Sequence, residues 1–141
     1  MVDRDSSKSR KRVYEMAKKR LRNGVSVGIF PEGLVPTENV ILSNFKNGAF
    51  SLAIEHQIPI VPQIYFDCKR FFSWDIFKGG PGVLRVKQCS FLPTETYVLH
   101  QKKELKEKAF RIVLNELCND AKYMKDTNRK NNAKEFTSFL S

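Results

Sequence analysis

The residues best suited to chemistry surround a Pro-Glu-Gly turn at positions 31–33. This turn directly follows a short run rich in β-forming residues, VSVGIF at positions 25–30, which is predicted to be a buried strand. Open α/β sheets usually bind their ligands at the carboxyl ends of their strands. Glu32 offers a carboxylate that can orient substrate hydroxyl groups, and Gly33 offers the backbone freedom that a tight turn needs. The sequence therefore predicts a ligand site at this turn.

A basic helix is predicted before the strand, over residues 6–22. Ser6 or Ser7 can cap its start, and Asn23-Gly24 ends it because glycine readily adopts a left-handed C-cap. Its apolar residues recur at helical spacing and predict one stripe that packs on the core. The stripe consists of Val13, Met16, Ala17 and Leu21.

A second helix and a second strand are predicted after the turn. Ser43 is suited to be the N-cap of this helix, and Gly48 inside it indicates a close approach by another backbone or a ligand. The strand covers residues 58–66, and Pro62 within it indicates a sheet edge or a bulge. The apolar face of the helix consists of Phe45, Ala49, Leu52, Ala53 and His56.

The second half of the chain holds a third strand and a third helix. Charged and apolar residues alternate over residues 83–89, which predicts a strand with one solvated face. An aromatic-rich loop over residues 67–80 precedes it, and a helix over residues 102–118 follows it. No repeat is present.

The order of these elements predicts an α/β fold, with a partial mixed β-sheet flanked by helices. Three strands are fewer than the usual five or six of such a sheet, so we expect a domain that is cut short at its start. We expect one domain over residues 1–118. Residues 119–141 are polar and aperiodic, and we expect a frayed or disordered tail there.

The composition and the charge of the chain limit the kinds of partner and site that it is suited to have. The net charge is +10, and the first 22 residues hold nine Lys or Arg against three acids. This balance favours a phospholipid surface, a phosphorylated substrate or nucleic acid, although a solvated basic face without a partner explains a charge run equally well. The three cysteines lie far apart, which argues against a disulfide framework or a zinc site. We see no signal peptide and no apolar run long enough to cross a bilayer.

Three motifs together resemble the 1-acylglycerol-3-phosphate acyltransferase family of glycerolipid acyltransferases. They are FPEG at residues 30–33, NFKNGAF at residues 44–50 and IPIVP at residues 58–62. FPEG alone is a weak signal, but the three motifs in this order and at these gaps are specific. The resemblance runs from about residue 2 to residue 87.

This resemblance implies transfer of an acyl group from acyl-CoA or acyl-carrier protein to a hydroxyl of lysophosphatidic acid, with no separate cofactor and no metal. The family uses a His-x4-Asp motif whose histidine is the general base, because an alcohol is a poor nucleophile at neutral pH. Arg4 matches the family arginine that holds the substrate phosphate, and its forked donors suit phosphate oxygens. The implied substrate-binding residues are Arg4, Phe30, Pro31, Glu32 and Gly33. Lys46 is a further candidate that could face the phosphate, although a solvated helix lysine explains it equally well.

The chain departs from the family pattern at two places. Leu34-Val35 stands where the family usually has Thr-Arg, so the second phosphate-binding arginine of the family is absent. No His-x4-Asp is present, because Val61 and Leu105 stand where the aspartate after each histidine would be. We therefore expect both histidines to be structural, and no catalytic residue is assigned. The motif order implies a truncated domain that is inactive on its own.

An alternative of a different class is a basic module that binds anionic membrane surfaces. The helix over residues 6–22 has the charge for it, and the aromatic residues of the 67–80 loop could insert at an interface. Nucleic acid is an unlikely partner because no nucleic-acid motif accompanies the charge, and a remnant without function is the third reading. The expected location is the cytoplasmic face of a membrane, as a peripheral protein, or the cytoplasm.

Overall fold

The computed structural model describes residues 7–34, 40–71 and 80–125. Helices dominate this part of the chain, and a two-stranded sheet joins them. The elements are α1 (Ser7–Arg22), α2 (Gly48–Glu55), β1 (Gln63–Tyr65), α3 (Cys68–Phe71), β2 (Val86–Gln88), a 3-10 turn (Leu99–Gln101), α4 (Lys102–Asn119) and α5 (Ala121–Lys125).

Helix α1 ends at Arg22, as predicted. Gly24 has a φ of +73°, and its N–H donates to Leu21 O at 3.0 Å while Val25 N–H donates to Arg20 O at 3.0 Å. These two bonds form a Schellman motif, which satisfies carbonyls of the last turn. The predicted apolar stripe is only half packed, because Val13 and Met16 remain 43% and 51% exposed.

The predicted strand over residues 25–30 is not observed. Within the described residues this segment has no regular secondary structure and pairs with no strand, and Val25, Ile29 and Phe30 are exposed. A strand needs a neighbour for its backbone N–H and C=O groups, and the segment finds none there. The β-forming composition was read correctly, but composition alone does not provide a partner.

Helix α2 begins later than predicted. It starts at Gly48 with Asn47 at the N-cap position, so the expectation that Ser43 caps this helix is wrong. The predicted close approach of another backbone to Gly48 is not found among the described residues, because Gly48 lies in the first turn and nothing lies within 4 Å of a Cβ built there. The alternative, a close approach by a ligand, stays a prediction. Residues 43–46 instead lie in the connection before α2 and have no regular secondary structure.

Residues 60–66 and 85–92 form an antiparallel ribbon around β1 and β2, in which Ile64 pairs with Lys87. The pairing slips by one residue between the Pro62–Cys89 and Ile60–Leu92 contacts, which places a bulge beside Pro62. The expected edge or bulge is therefore present. The broad α/β class is confirmed, but the described strands pair only in antiparallel fashion, so the predicted mixed sheet is not found among them.

The core lies between α4, α2 and the ribbon. Helix α4 agrees with the prediction to within one residue, and it contributes four buried side chains: Leu105, Ala109, Leu114 and Leu117. Thr94 is fully buried and donates its hydroxyl to Ile58 O at 2.9 Å, which satisfies both polar groups.

The first residues of the predicted tail pack on this core. Helix α5 covers Ala121–Lys125, and Tyr123 within it is 4% exposed. The start of the segment is therefore not frayed, although the domain boundary at residue 118 stays a prediction. The rest of the predicted tail lies outside the described residues.

The structure also bears on the three cysteines, on metal binding and on membrane spans. Cys68, Cys89 and Cys118 are free and half-buried, and burial raises the pKa of each thiol. In the described ranges no group of His, Cys, Asp and Glu side chains could hold a metal ion. None of the helices that the structure describes is both long and apolar enough to span a bilayer.

Candidate functional site

The candidate site is built on the turn at residues 30–33. Gly33 N–H donates to Phe30 O at 3.2 Å, which closes the turn. Gly33 has a φ of +69°, a conformation that side chains with a Cβ rarely adopt. The prediction that Gly33 serves turn geometry is confirmed.

Two hydrogen bonds hold the turn against residues 43–46. Lys46 N–H donates to Pro31 O at 2.7 Å. Ser43 N–H donates to the Glu32 carboxylate, at 2.8 Å from Oε2. The carboxylate is half-buried at this contact, so the bond fixes where Glu32 points. Two of the three family motifs, separated in sequence, are thus joined directly.

The segment that receives the turn is itself fixed by the core. Ile41, Leu42 and Phe45 are buried, with exposed fractions of 2%, 6% and 7%. The Phe45 ring stacks on Phe50 with a centroid distance of 6.1 Å and meets Phe110 edge-on at 5.1 Å. These contacts anchor residues 41–46 to α2 and α4, so the turn is attached to a rigid support.

The structure places five of the six predicted site residues in one region. Pro31 and Glu32 are half-buried in the turn, and Phe30 beside them is 81% exposed. Lys46 lies over Gly33, with its Cγ 3.5 Å from the position of a Cβ on that glycine. Arg4, the sixth residue, lies outside the described residues. The binding roles of all six stay predictions.

Neither histidine makes the contacts that a general base at this turn would need. His56 follows the last residue of α2 as its C-cap and is half-buried. His100 is exposed in the 3-10 turn before α4. No contact in the described ranges joins either imidazole to an aspartate, as a base–aspartate pair requires. The expectation that both are structural is consistent with these positions.

The turn can bind a polar ligand without any base. A carboxylate has about four acceptor positions, and the Ser43 amide uses one, so Glu32 keeps capacity for a hydroxyl donor. Lys46 adds a cationic side chain beside the same turn. A carboxylate and an ammonium group on the same turn and the segment docked to it suit a ligand that carries both hydroxyl and anionic groups.

Sequence reasoning missed the backbone contacts of the site. The Ser43 amide and the Pro31 carbonyl carry no signal in their side chains, so no motif could have revealed them. It also missed Tyr123, whose hydroxyl donates to Ile41 O at 2.9 Å in the interior. A buried tyrosine needs a partner for its hydroxyl, but the sequence does not say which carbonyl provides it.

A cluster of charged side chains lies beside the start of α5. Arg85 binds Asp67 at 2.8 Å and Asp120 at 2.7 Å. Asp67 is 2% exposed and also accepts the Arg85 backbone N–H at 3.0 Å. Hydrogen bonds from Arg85 hold the pKa of both carboxyls below the ordinary value. The cluster ties the end of α4 to the ribbon.

Comparisons with known proteins agree with the motifs. The Acyltransferase family model matches residues 1–66. Human 1-acyl-sn-glycerol-3-phosphate acyltransferase beta is 32% identical over 80 residues, covering 57% of this chain and 28% of that protein. The human alpha protein is 35% identical over 81 residues, covering 57% and 28% respectively.

A third relative gives the same result. The putative 1-acyl-sn-glycerol-3-phosphate acyltransferase acl-2 of Caenorhabditis elegans is 35% identical over 89 residues, covering 61% of this chain and 30% of that protein. The chain thus spans less than a third of the length of these relatives. No solved structure gives a significant match. Residues 1–66 match the Acyltransferase family model, and the chain is similar to 1-acyl-sn-glycerol-3-phosphate acyltransferases over a part of their length.

Proposed function

We propose that this chain is the acceptor-binding part of an acyltransferase domain that acylates lysophosphatidic acid in phospholipid synthesis. The acyl donor would be acyl-CoA or acyl-carrier protein. The single observation that carries the proposal is the docking of the Glu32 turn onto residues 43–46, where the Lys46 amide donates to Pro31 O at 2.7 Å and the Ser43 amide donates to the Glu32 carboxylate at 2.8 Å. The relatives named as 1-acyl-sn-glycerol-3-phosphate acyltransferases supply the substrate class.

The geometry supports this acceptor for a chemical reason. Lysophosphatidic acid carries a phosphate, a glycerol hydroxyl and one acyl chain. Lys46, which lies against Gly33, offers a cation for the phosphate, and Glu32 offers an acceptor for the hydroxyl. The exposed Phe30 ring offers an apolar surface at the same turn.

The proposal is tested by calorimetric titration of the purified chain with a short-chain lysophosphatidic acid, below the concentration at which it forms micelles. We expect saturable binding that Lys46→Ala weakens. Lys108→Ala, which removes an exposed lysine of α4, serves as the charge-matched control and should bind normally. Binding that both variants weaken equally would reduce the interaction to general charge attraction and refute the proposed site.

We further propose that this chain does not transfer acyl groups by itself. The sequence contains no His-x4-Asp, and the attacking hydroxyl requires a base. Incubation with acyl-CoA and lysophosphatidic acid should give no more phosphatidic acid than buffer alone. Turnover above that background would show that another group serves as the base.

A second candidate function is binding to anionic membrane surfaces from the cytoplasmic side. The observation that favours it is the exposure of Val13 and Met16 on α1 among exposed basic residues, because apolar residues flanked by cations suit a lipid interface. The neighbouring cations are Arg12, Lys19 and Arg20.

Sedimentation with phosphatidylcholine vesicles, with and without phosphatidylserine, tests this candidate. Binding should require the anionic lipid and weaken with salt. Arg12→Glu with Lys19→Glu should abolish it, whereas Lys103→Glu with Lys108→Glu on α4 changes the net charge equally and should not. If the two double variants lose vesicle binding equally, α1 is excluded as the binding surface.

A further inference from the structure

We infer that Tyr123 is a positioning residue for the Glu32 turn, although it lies far beyond the segment that matches the acyltransferase family. Its hydroxyl donates to the Ile41 carbonyl at 2.9 Å. Tyr123 is 4% exposed and Ile41 is 2% exposed, so water cannot replace either partner easily. Helix α5 is therefore joined by a specific bond to the segment that holds the site.

The position of Ile41 makes this bond relevant to the turn. Ile41 precedes Ser43 by two residues, and Ser43 N–H is the donor to the Glu32 carboxylate at 2.8 Å. A shift of the Ile41 peptide group would move the Ser43 amide, because only a few backbone torsions separate them. The orientation of Glu32 thus depends on where Tyr123 holds Ile41.

Tyr123 is in turn held from the opposite side. Its N–H donates to Asp120 Oδ1 at 2.6 Å, as in an N-cap, and Asp120 binds Arg85 at 2.7 Å. Arg85 binds the buried Asp67 at 2.8 Å. A continuous set of bonds therefore runs from the ribbon through α5 to the candidate site.

The alternative is that the hydroxyl only satisfies a buried carbonyl and stabilises the fold as a whole. The two roles differ in what happens to the turn. A general role lowers global stability and leaves the relative protection of individual amides unchanged. A positioning role loosens the Ser43 and Lys46 amides selectively, because these two amides hold the turn.

Tyr123→Phe tests the inference, because it removes the hydroxyl and leaves the ring in the core. Hydrogen exchange measured by NMR should become at least several-fold faster at Ser43 and Lys46. The ribbon amides of Cys89 and Leu92, which donate to Pro62 O and Ile60 O, serve as internal references and should change little. Equal acceleration at all four amides, or none, would overturn the inference.

Tyr65→Phe is the matched control variant. It removes a hydroxyl that donates to Gln63 Oε1 at 3.1 Å on the exposed face of the ribbon. We expect it to leave exchange at Ser43 and Lys46 unchanged. If Tyr65→Phe accelerates these two amides as much as Tyr123→Phe does, the effect is not specific to α5 and the inference fails.

A binding measurement extends the test and rests on the proposed function. Tyr123→Phe should weaken short-chain lysophosphatidic acid about two- to tenfold, the range that one net hydrogen bond accounts for. Unchanged affinity would contradict a positioning role. If the unsubstituted chain binds no lysophosphatidic acid, the proposed function fails, and the exchange measurement alone still decides the role of Tyr123.

Discussion

Glu32 has two roles at the scale of a single residue. Its carboxylate holds the Ser43 amide, and the same group is the predicted contact for a substrate hydroxyl. A substitution that removes the carboxyl group altogether therefore mixes structural and binding effects. Replacement by glutamine separates them, because the amide oxygen still accepts the Ser43 N–H while the negative charge is lost.

Glu32→Gln should keep the stability of the protein and weaken lysophosphatidic acid binding, whereas Glu32→Ala should lower both. We expect Glu32→Ala to reduce the free energy of unfolding by about 0.5–1.5 kcal/mol, because the Ser43 N–H loses its acceptor. Urea unfolding and calorimetric titration of the two variants measure the two effects. Equal stability of both variants would show that the Ser43–Glu32 bond contributes nothing.

Gly33 is required for a different physical reason. Its φ of +69° is strained for any residue with a Cβ, although the space around that Cβ is ordinary, with Lys46 Cγ at 3.5 Å. Gly33→Ala should therefore lower the free energy of unfolding by about 1 kcal/mol. Gly28→Ala is the control, because no atom lies within 4 Å of its Cβ position. A Gly33→Ala protein as stable as Gly28→Ala would contradict this explanation.

At the scale of elements, one acidic residue attaches α1 to α2. Glu55 accepts the Tyr14 hydroxyl at 2.9 Å and binds Lys18 at 2.8 Å. Burial and the hydrogen bond to Glu55 raise the pKa of Tyr14 to about 12. Hydrogen bonds from Lys18 and Tyr14 lower the pKa of Glu55. The basic helix is therefore held by polar contacts on one side while part of its apolar stripe stays exposed.

Glu55→Gln should lower the pKa of Tyr14 towards its ordinary value of about 10. In the unsubstituted protein the folded-state pKa exceeds the unfolded one, so the Tyr14 contribution is complete below about pH 10 and is lost as the pH rises towards 12. NMR titration of tyrosine-labelled protein resolves Tyr14 from the other tyrosines. An unchanged Tyr14 pKa in Glu55→Gln would exclude the contact.

The Asp67–Arg85–Asp120 cluster gives the opposite pH dependence. Both carboxyls have pKa values below the ordinary value of about 4, so their stabilising effect is complete above that pH and is lost as the pH falls below it. Urea unfolding of Asp67→Asn with Asp120→Asn should show a weaker loss of stability on acidification than the unsubstituted protein. Parallel pH profiles of the two proteins would refute the assignment.

Element prediction from the sequence succeeded where local signals suffice. Helix α4 has a long periodic pattern, and the Gly24 cap of α1 is a local device. Prediction failed for residues 25–30, because a strand depends on a partner that local sequence does not specify. It also failed at Ser43, whose amide binds Glu32 instead of leading into α2.

At the scale of the whole molecule, the family was predictable and the support of the site was not. Three short motifs in the sequence indicate the resemblance to this family, because their order and gaps are specific. The link from Asp67 through Arg85 and Asp120 to Tyr123 joins residues that are distant in sequence, and no motif encodes it. Tyr123, near the start of the segment predicted to be a polar tail, is therefore part of the core.

The central claim is that the docked Glu32 turn binds the acceptor lipid, and NMR amide shifts during titration with short-chain lysophosphatidic acid test it most directly. We predict saturable shifts at Glu32, Gly33, Ser43 and Lys46, with much smaller shifts for lysophosphatidylcholine of the same chain length. Shifts confined to α1, or equal responses to the two lipids, would contradict the claim and favour attachment to a lipid surface instead.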